Sequence, residues 1–129
     1  VPPVSTTEIH EHAFVVEGVL LTDVRGALAT PVLSTPGMIA MMEHAATSLA
    51  LLHVPAGMAT VGFEVCVKHV APAPEGARCV ARAVLREVVD ERKYRFDVEV
   101  LDGERTIGVG THERRAVPAA HQSAPTEHL

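Results

Sequence analysis

Ser34-Thr35-Pro36-Gly37-Met38-Ile39-Ala40-Met41-Met42-Glu43-His44-Ala45-Ala46-Thr47-Ser48-Leu49-Ala50-Leu51-Leu52 is the stretch that decides the fold. Met, Ala and Leu are strong helix formers. Thr35 reads as the N-cap, its hydroxyl able to accept from a free N–H of the first turn. Pro36 suits the first helical position, where its missing donor costs nothing. Pro55 and Gly57 end the run. At about 100° per residue, Met38, Met41, Met42, Ala45, Leu49 and Leu52 share one broad apolar face. Pro36, Ala40, Glu43, Thr47 and Ala50 form a second stripe of small side chains that permits close approach by another surface. The two stripes together predict a helix from Met38 to about Leu52, buried on most sides.

Beyond the helix the period changes to two, and does so four times. In residues 61–70, Val61, Phe63, Val65, Val67 and His69 alternate with Gly62, Glu64, Cys66 and Lys68, and the first set is expected to face the helix. Pro72, Pro74 and Gly76 break that strand. In residues 77–89, Cys79, Ala81, Ala83, Leu85 and Val89 make a face that is apolar apart from Glu87. Tyr94, Phe96, Val98 and Val100 alternate with charged residues, and Asp102-Gly103 signals a hairpin. The last strand, about 105–117, is expected to put Ile107, Val109, Thr111 and Val117 on one side. Residues 13–21 read as a further strand, interrupted by Gly18. Residues 1–12 read as an arm, 13–117 as the single domain and 118–129 as a disordered tail. The expected class is α+β: one antiparallel sheet wrapped around one long central helix, the hot-dog architecture. An open sheet of this kind exposes an edge, which pairing in a homodimer would cover.

Composition narrows the function. The 129 residues suffice for one core, and 47% apolar with 21% charged residues is an ordinary globular balance. A net charge of -5 offers no bulk positive field for nucleic acid, and 3% aromatics (Phe14, Phe63, Tyr94, Phe96) are too few for base stacking. The longest apolar stretch is interrupted by Glu43, His44 and His53, which argues against a membrane span. No basic segment followed by an apolar one suggests secretion, so a cytoplasmic location is expected. Cys66 and Cys79 read as two buried thiols, with neither disulfide nor zinc spacing. Glu8-Ile9-His10-Glu11-His12 has metal-like residue types but lies in the arm without a third partner, so no metal is expected.

Three residues could carry chemistry. Glu43 falls mid-helix on the small-residue stripe, where a carboxylate must be solvated, paired, protonated or used. His69 ends an inward-facing strand register just before a proline-rich turn, where a neutral imidazole can move a proton near neutral pH. Thr35 combines a hydroxyl with the free N–H groups of a helix start, a place that favours developing negative charge. His44 points about 100° away from Glu43 on a helix, so the two neighbours do not form an acid–base pair.

The runs Val32-Leu33-Ser34-Thr35-Pro36-Gly37-Met38-Ile39-Ala40-Met41-Met42-Glu43, Gly62 through Cys66-Val67-Lys68-His69, and Gly110-Thr111-His112-Glu113-Arg114 resemble, in order, the fluoroacetyl-CoA thioesterase family of hot-dog proteins. The resemblance covers about residues 30–117. It implies a homodimeric hydrolase of acyl-CoA thioesters with Thr35, Glu43 and His69 as its catalytic set. It also implies a Gly62 backbone N–H that helps hold the thioester oxygen, and no cofactor beyond the CoA of the substrate. Under this reading Glu43 is the nucleophile or the base for water, His69 shuttles a proton, and Arg114 meets the CoA phosphates. The family's fluoroacetyl-specific member has phenylalanines forming a lid where this chain has Gly26 and Ala29, which implies a wider or different acyl group. A non-catalytic acyl-thioester binder on the same fold is the alternative. A hydratase-like enzyme ranks lower, because no Asp is followed closely by His on a loop beside the helix.

Overall fold

Two consecutive hydroxyl residues open the long helix, and only one of them caps it. In the computed structural model, which describes residues 8–119, α1 spans Thr35–Leu51. Ser34 has extended backbone and its side chain accepts from the Gly37 N–H at 2.9 Å, so Ser34 is the N-cap. Thr35 is therefore the first helical residue rather than the cap, and its hydroxyl is left for another partner. The helix buries Gly37, Met38, Met42, Ala45, Ala46, Leu49 and Ala50. Leu52, expected on that face, is the C-cap and is exposed, and Pro36 and Ala40 are open as well. The helix is buried on its core side only.

The core side packs on a five-stranded antiparallel sheet. Its strands are β1 (Ile9–Val15), β4 (Met58–His69), β5 (Arg78–Val89), β6 (Lys93–Asp102) and β7 (Arg105–Pro118), in the spatial order β1-β5-β6-β7-β4. A small hairpin of β2 (Leu21–Thr22) and β3 (Val32–Leu33) leads into the helix. β1 corrects the sequence reading: Ile9 to Val15 pair with Val84 to Arg78, so residues 9–12 belong to the sheet. Their alternating His and Glu conceal a strand that an edge position tolerates. The strand ends at Val15, and Gly18, in the left-handed region, opens a short turn of 3-10 helix (Gly18–Leu20). Residues 1–7 of the arm and 120–129 of the tail lie outside the described residues.

Alternation places the core as expected on β5 and β6. Cys79, Ala81, Ala83, Leu85, Tyr94, Phe96, Val98 and Val100 are all buried in one cluster with the helix. Departures from strict alternation come from bulges, where one extra residue shifts every later side chain to the opposite face. On β5, Leu85 pairs with Phe96 but Glu87 pairs with Arg95, so Arg86 is extra. Glu87 thereby turns outward and bonds Arg95 at 2.6 Å, which removes the one charge that spoiled the apolar parity.

On β4, Gly62 pairs with Arg114 and Glu64 with Glu113, so Phe63 is extra. Val61 and Phe63 were expected to face the helix with Val65, Val67 and His69. Instead they are 50% and 58% exposed, and the Arg115 guanidinium lies over the Phe63 ring. Gly62 takes the inward position beside the helix.

The shared side expected on β7 is also corrected: Ile107 is buried at a register shift while Val109 and Thr111 are exposed, and Gly108, His112, Arg114 and Ala116 are buried. Bulky methionines explain Gly108, since a Cβ there would collide with the Met38 sulfur. Cys79 is buried as expected, but Cys66 is exposed on edge strand β4. Among the described residues no helix is long and apolar enough to cross a membrane.

Candidate active site

The hydroxyl released from capping finds its partner on β4. Thr35 Oγ1 and His69 Nδ1 are 2.8 Å apart, joining the first turn of α1 to the last residue of the strand. Burial lowers the His69 pKa below its ordinary value, and the Ala71 backbone opposes this in smaller part. The imidazole is thus held neutral near pH 7, with Nε2 buried and without a hydrogen-bond partner among the described residues. A neutral imidazole beside a hydroxyl at a helix N-terminus can pass a proton and hold a polarised oxygen.

Glu43 belongs to a second cluster. Its Oε2 lies 3.5 Å from Arg114 Nη1 and 3.9 Å from His112 Nε2. A Cβ on Gly62 would come within 2.7 Å of the same oxygen, so a glycine is what leaves room for the carboxylate. Arg114 is buried. Its Nε donates to Thr60 Oγ1 at 2.8 Å, its Nη2 to the Thr60 carbonyl at 3.0 Å, and its Nη1 to His112 Nε2 at 3.2 Å. A guanidinium engaged in this way faces Glu43 and Thr60. Burial lowers the Arg114 pKa and Glu43 raises it in part.

Thr35 and His69 are therefore brought together, and so are Glu43, Gly62 and Arg114, but the two groups occupy different parts of the helix. Eight residues separate Thr35 from Glu43, roughly 12 Å along the axis at 1.5 Å per residue. The expectation that Glu43 and His69 converge on one pocket is not met by contacts within a single chain. Sequence reasoning missed Thr60 and His112. His112 stands inside the Gly110–Arg114 run, but a buried polar pair carries no hydropathy signal. The signal that could have found it is spacing, since His112 and Arg114 share one parity of a strand. Edge strand β4 is paired only on its β7 side among the described residues, and it exposes Val61, Phe63, Val65 and Cys66. No group of three or more potential metal ligands occurs among the described residues.

Comparisons with known proteins agree with this architecture. The solved structure of the fluoroacetyl-CoA thioesterase FlK superposes with a TM-score of 0.77 at 30% identity, covering 86% of each chain. A hypothetical protein of Thermus thermophilus described as a thioesterase superfamily member has a TM-score of 0.77 at 24% identity, covering 91% of this chain and 84% of its own, and supports the fold alone. The Fluoroacetyl-CoA thioesterase of Streptantibioticus cattleyicolor is 34% identical over 86 residues, which is 67% of this chain and 61% of that protein. This chain thus aligns with less than two thirds of the length of that curated relative. The sequence profile of the fluoroacetyl-CoA-specific thioesterase family matches residues 16–120, nearly the whole described fold, and the chain belongs to that family.

Proposed function

We propose that this protein hydrolyses acyl-CoA thioesters at a site completed by two copies of the chain, with Thr35 and His69 from one and Glu43 from the other. The observation that carries the reading is the separation of two half-sites along one helix, beside a strand edge that exposes apolar side chains. Antiparallel pairing of β4 with its symmetry mate about a two-fold near Cys66 joins the halves. The Phe63 bulge absorbs one residue, so that Gly62 of one copy stands opposite His69 of the second. Both residues lie on the helix side of β4, so continuing the sheet keeps them in one seam.

In that seam the carboxylate oxygen of Glu43 not engaged by Arg114 takes a proton from water. The resulting hydroxide adds to the thioester carbonyl. Thr35, the helix N-terminus and the Gly62 N–H hold the oxygen that becomes negative. Collapse of the adduct breaks the C–S bond, and the proton passes by way of His69 to the departing thiolate. Gly26 and Ala29 lie exposed between β2 and β3 and set no aromatic ring over the site, which favours a wider acyl range than fluoroacetyl. Such a substrate fits a cytoplasmic enzyme.

The test is thiol release from a panel of short acyl-CoAs, including acetyl-CoA and fluoroacetyl-CoA, by the wild type, Glu43→Ala and His69→Ala. Each variant is expected to lose turnover by at least ~100-fold. Mixing the two variants regenerates one intact site per mixed dimer and restores roughly a quarter of wild-type activity at random assortment. Full turnover by both single variants refutes the assignment. Two inactive variants that stay inactive on mixing refute the shared site.

A further inference from the structure

His112 is among the most buried polar residues of the chain, at 3% exposure, and the chemistry outlined above gives it no task. Its two nitrogens have partners that define its protonation. Nδ1 lies 2.8 Å from the Glu64 carbonyl, which can only accept, so Nδ1 carries hydrogen. Nε2 lies 3.2 Å from Arg114 Nη1, which can only donate, so Nε2 presents its lone pair. The imidazole is thus neutral and in a single tautomer. Its ring lies against Phe96 of β6, with centroids 6.2 Å apart, so it cannot turn without disturbing the core. Through the Glu64 carbonyl it also ties β7 to β4 immediately after the Phe63 bulge, the feature that turns Gly62 toward Glu43.

We propose that His112 is a positioning residue for the hydrolysis, a fixed acceptor that holds the Arg114 guanidinium against the Glu43 carboxylate while pinning the bulge that makes room for it. The proposal rests on the thioesterase reading and assigns a duty that neither Arg114 nor Gly62 performs alone. Thr60 fixes Nε and Nη2 of Arg114, and without His112 the third nitrogen, the one nearest Glu43, has no neutral acceptor to orient it. The charged groups facing the imidazole are Glu43 from α1 and Arg114 from β7. β4 offers it the Glu64 carbonyl and β6 the Phe96 ring. Adding a proton to Nε2 would set two donors and two cations against each other, release Arg114 and leave Glu43 misplaced.

Two isosteres separate the halves of this duty. His112→Asn keeps a donor near the Nδ1 position and loses the acceptor for Arg114, whereas His112→Gln can supply an acceptor near the Nε2 position. On the same acyl-CoA panel, His112→Asn is expected to lower kcat on the order of 10- to 100-fold with little change in KM, the penalty of a misplaced catalytic group. His112→Gln is expected to recover most of that loss at a melting temperature similar to that of the Asn variant. Wild-type kcat in both variants, or a Gln variant as slow as the Asn variant, overturns the proposal. So does a nitrogen NMR spectrum of the wild type at pH 7 showing His112 charged or protonated at Nε2. The two failures are distinct: absence of turnover in the wild type refutes the thioesterase reading, whereas unimpaired turnover in both variants refutes only the role of His112.

Discussion

Gly62 shows how one missing atom can serve a site. The nearest obstacle to a Cβ there is Glu43 Oε2, the far end of a side chain that is 40% exposed and free to swing outward. Gly62→Ala is therefore expected to cost little stability, with a melting temperature near that of the wild type, and to lower kcat on the order of 100-fold by displacing the carboxylate. A stable variant with full turnover would show that this position of Glu43 is not the working one. Ser34 and Thr35 give a second contrast. Ser34→Ala removes the helix cap and should destabilise the fold by about 1 kcal/mol in urea titration. Thr35→Ala leaves the cap intact and removes the partner of His69, so it should lose activity while keeping stability. The sequence reading placed both functions on Thr35, because adjacent hydroxyls are indistinguishable by propensity and only local geometry assigns them.

Among the elements, β1 and the helix meet through histidines. The His12 and His44 rings lie with centroids 3.8 Å apart, joining an edge strand to α1. Burial lowers the His12 pKa most, and His44 and His10 lower it further. In the unfolded chain His12 binds its proton more readily, so stability from this group is present above its ordinary value of 6.5 and lost as pH falls through the lower folded value. His69 and His112, also depressed chiefly by burial, act in the same direction. The urea midpoint is expected to fall between about pH 7 and pH 5, and to fall less in His12→Gln. An equal decline in that variant would show that the contact between β1 and α1 contributes nothing to it. The bulges belong to this scale as well. The alternation of β5 and β6 was readable because apolar residues mark it. The extra residue at Phe63 was not, because Val61 and Phe63 carry the same apolar signature whether they face the core or the open edge.

At the scale of the whole molecule, the free edge of β4 shapes behaviour in solution. With Cys66 at the proposed two-fold, two thiols on the same face of paired strands lie within reach of a disulfide. Mild oxidation is expected to give a dimer that survives non-reducing electrophoresis, and Cys66→Ser should abolish it. A protein that sediments as a monomer, or cross-links equally without Cys66, would contradict the register. The chain by itself determined the single helix, the four strands that follow it, and the identity of Thr35, Glu43, His69 and Gly62 as residues worth watching. The meander that the strands' succession suggests holds only for β5, β6 and β7, because β4 pairs with β7 across the sheet. The helix, the strands, Thr35, Glu43 and His69 follow from periodicity, propensity and position, and Gly62 from the resemblance of its run to the family, all of which are local in the chain. Only the tertiary structure decided which hydroxyl caps the helix, that Gly62 and His69 share a face despite an odd separation, and that Arg114 and His112 lie beneath Glu43. These depend on pairing register and on buried hydrogen bonds between residues distant in sequence, which leave no periodic trace along the chain.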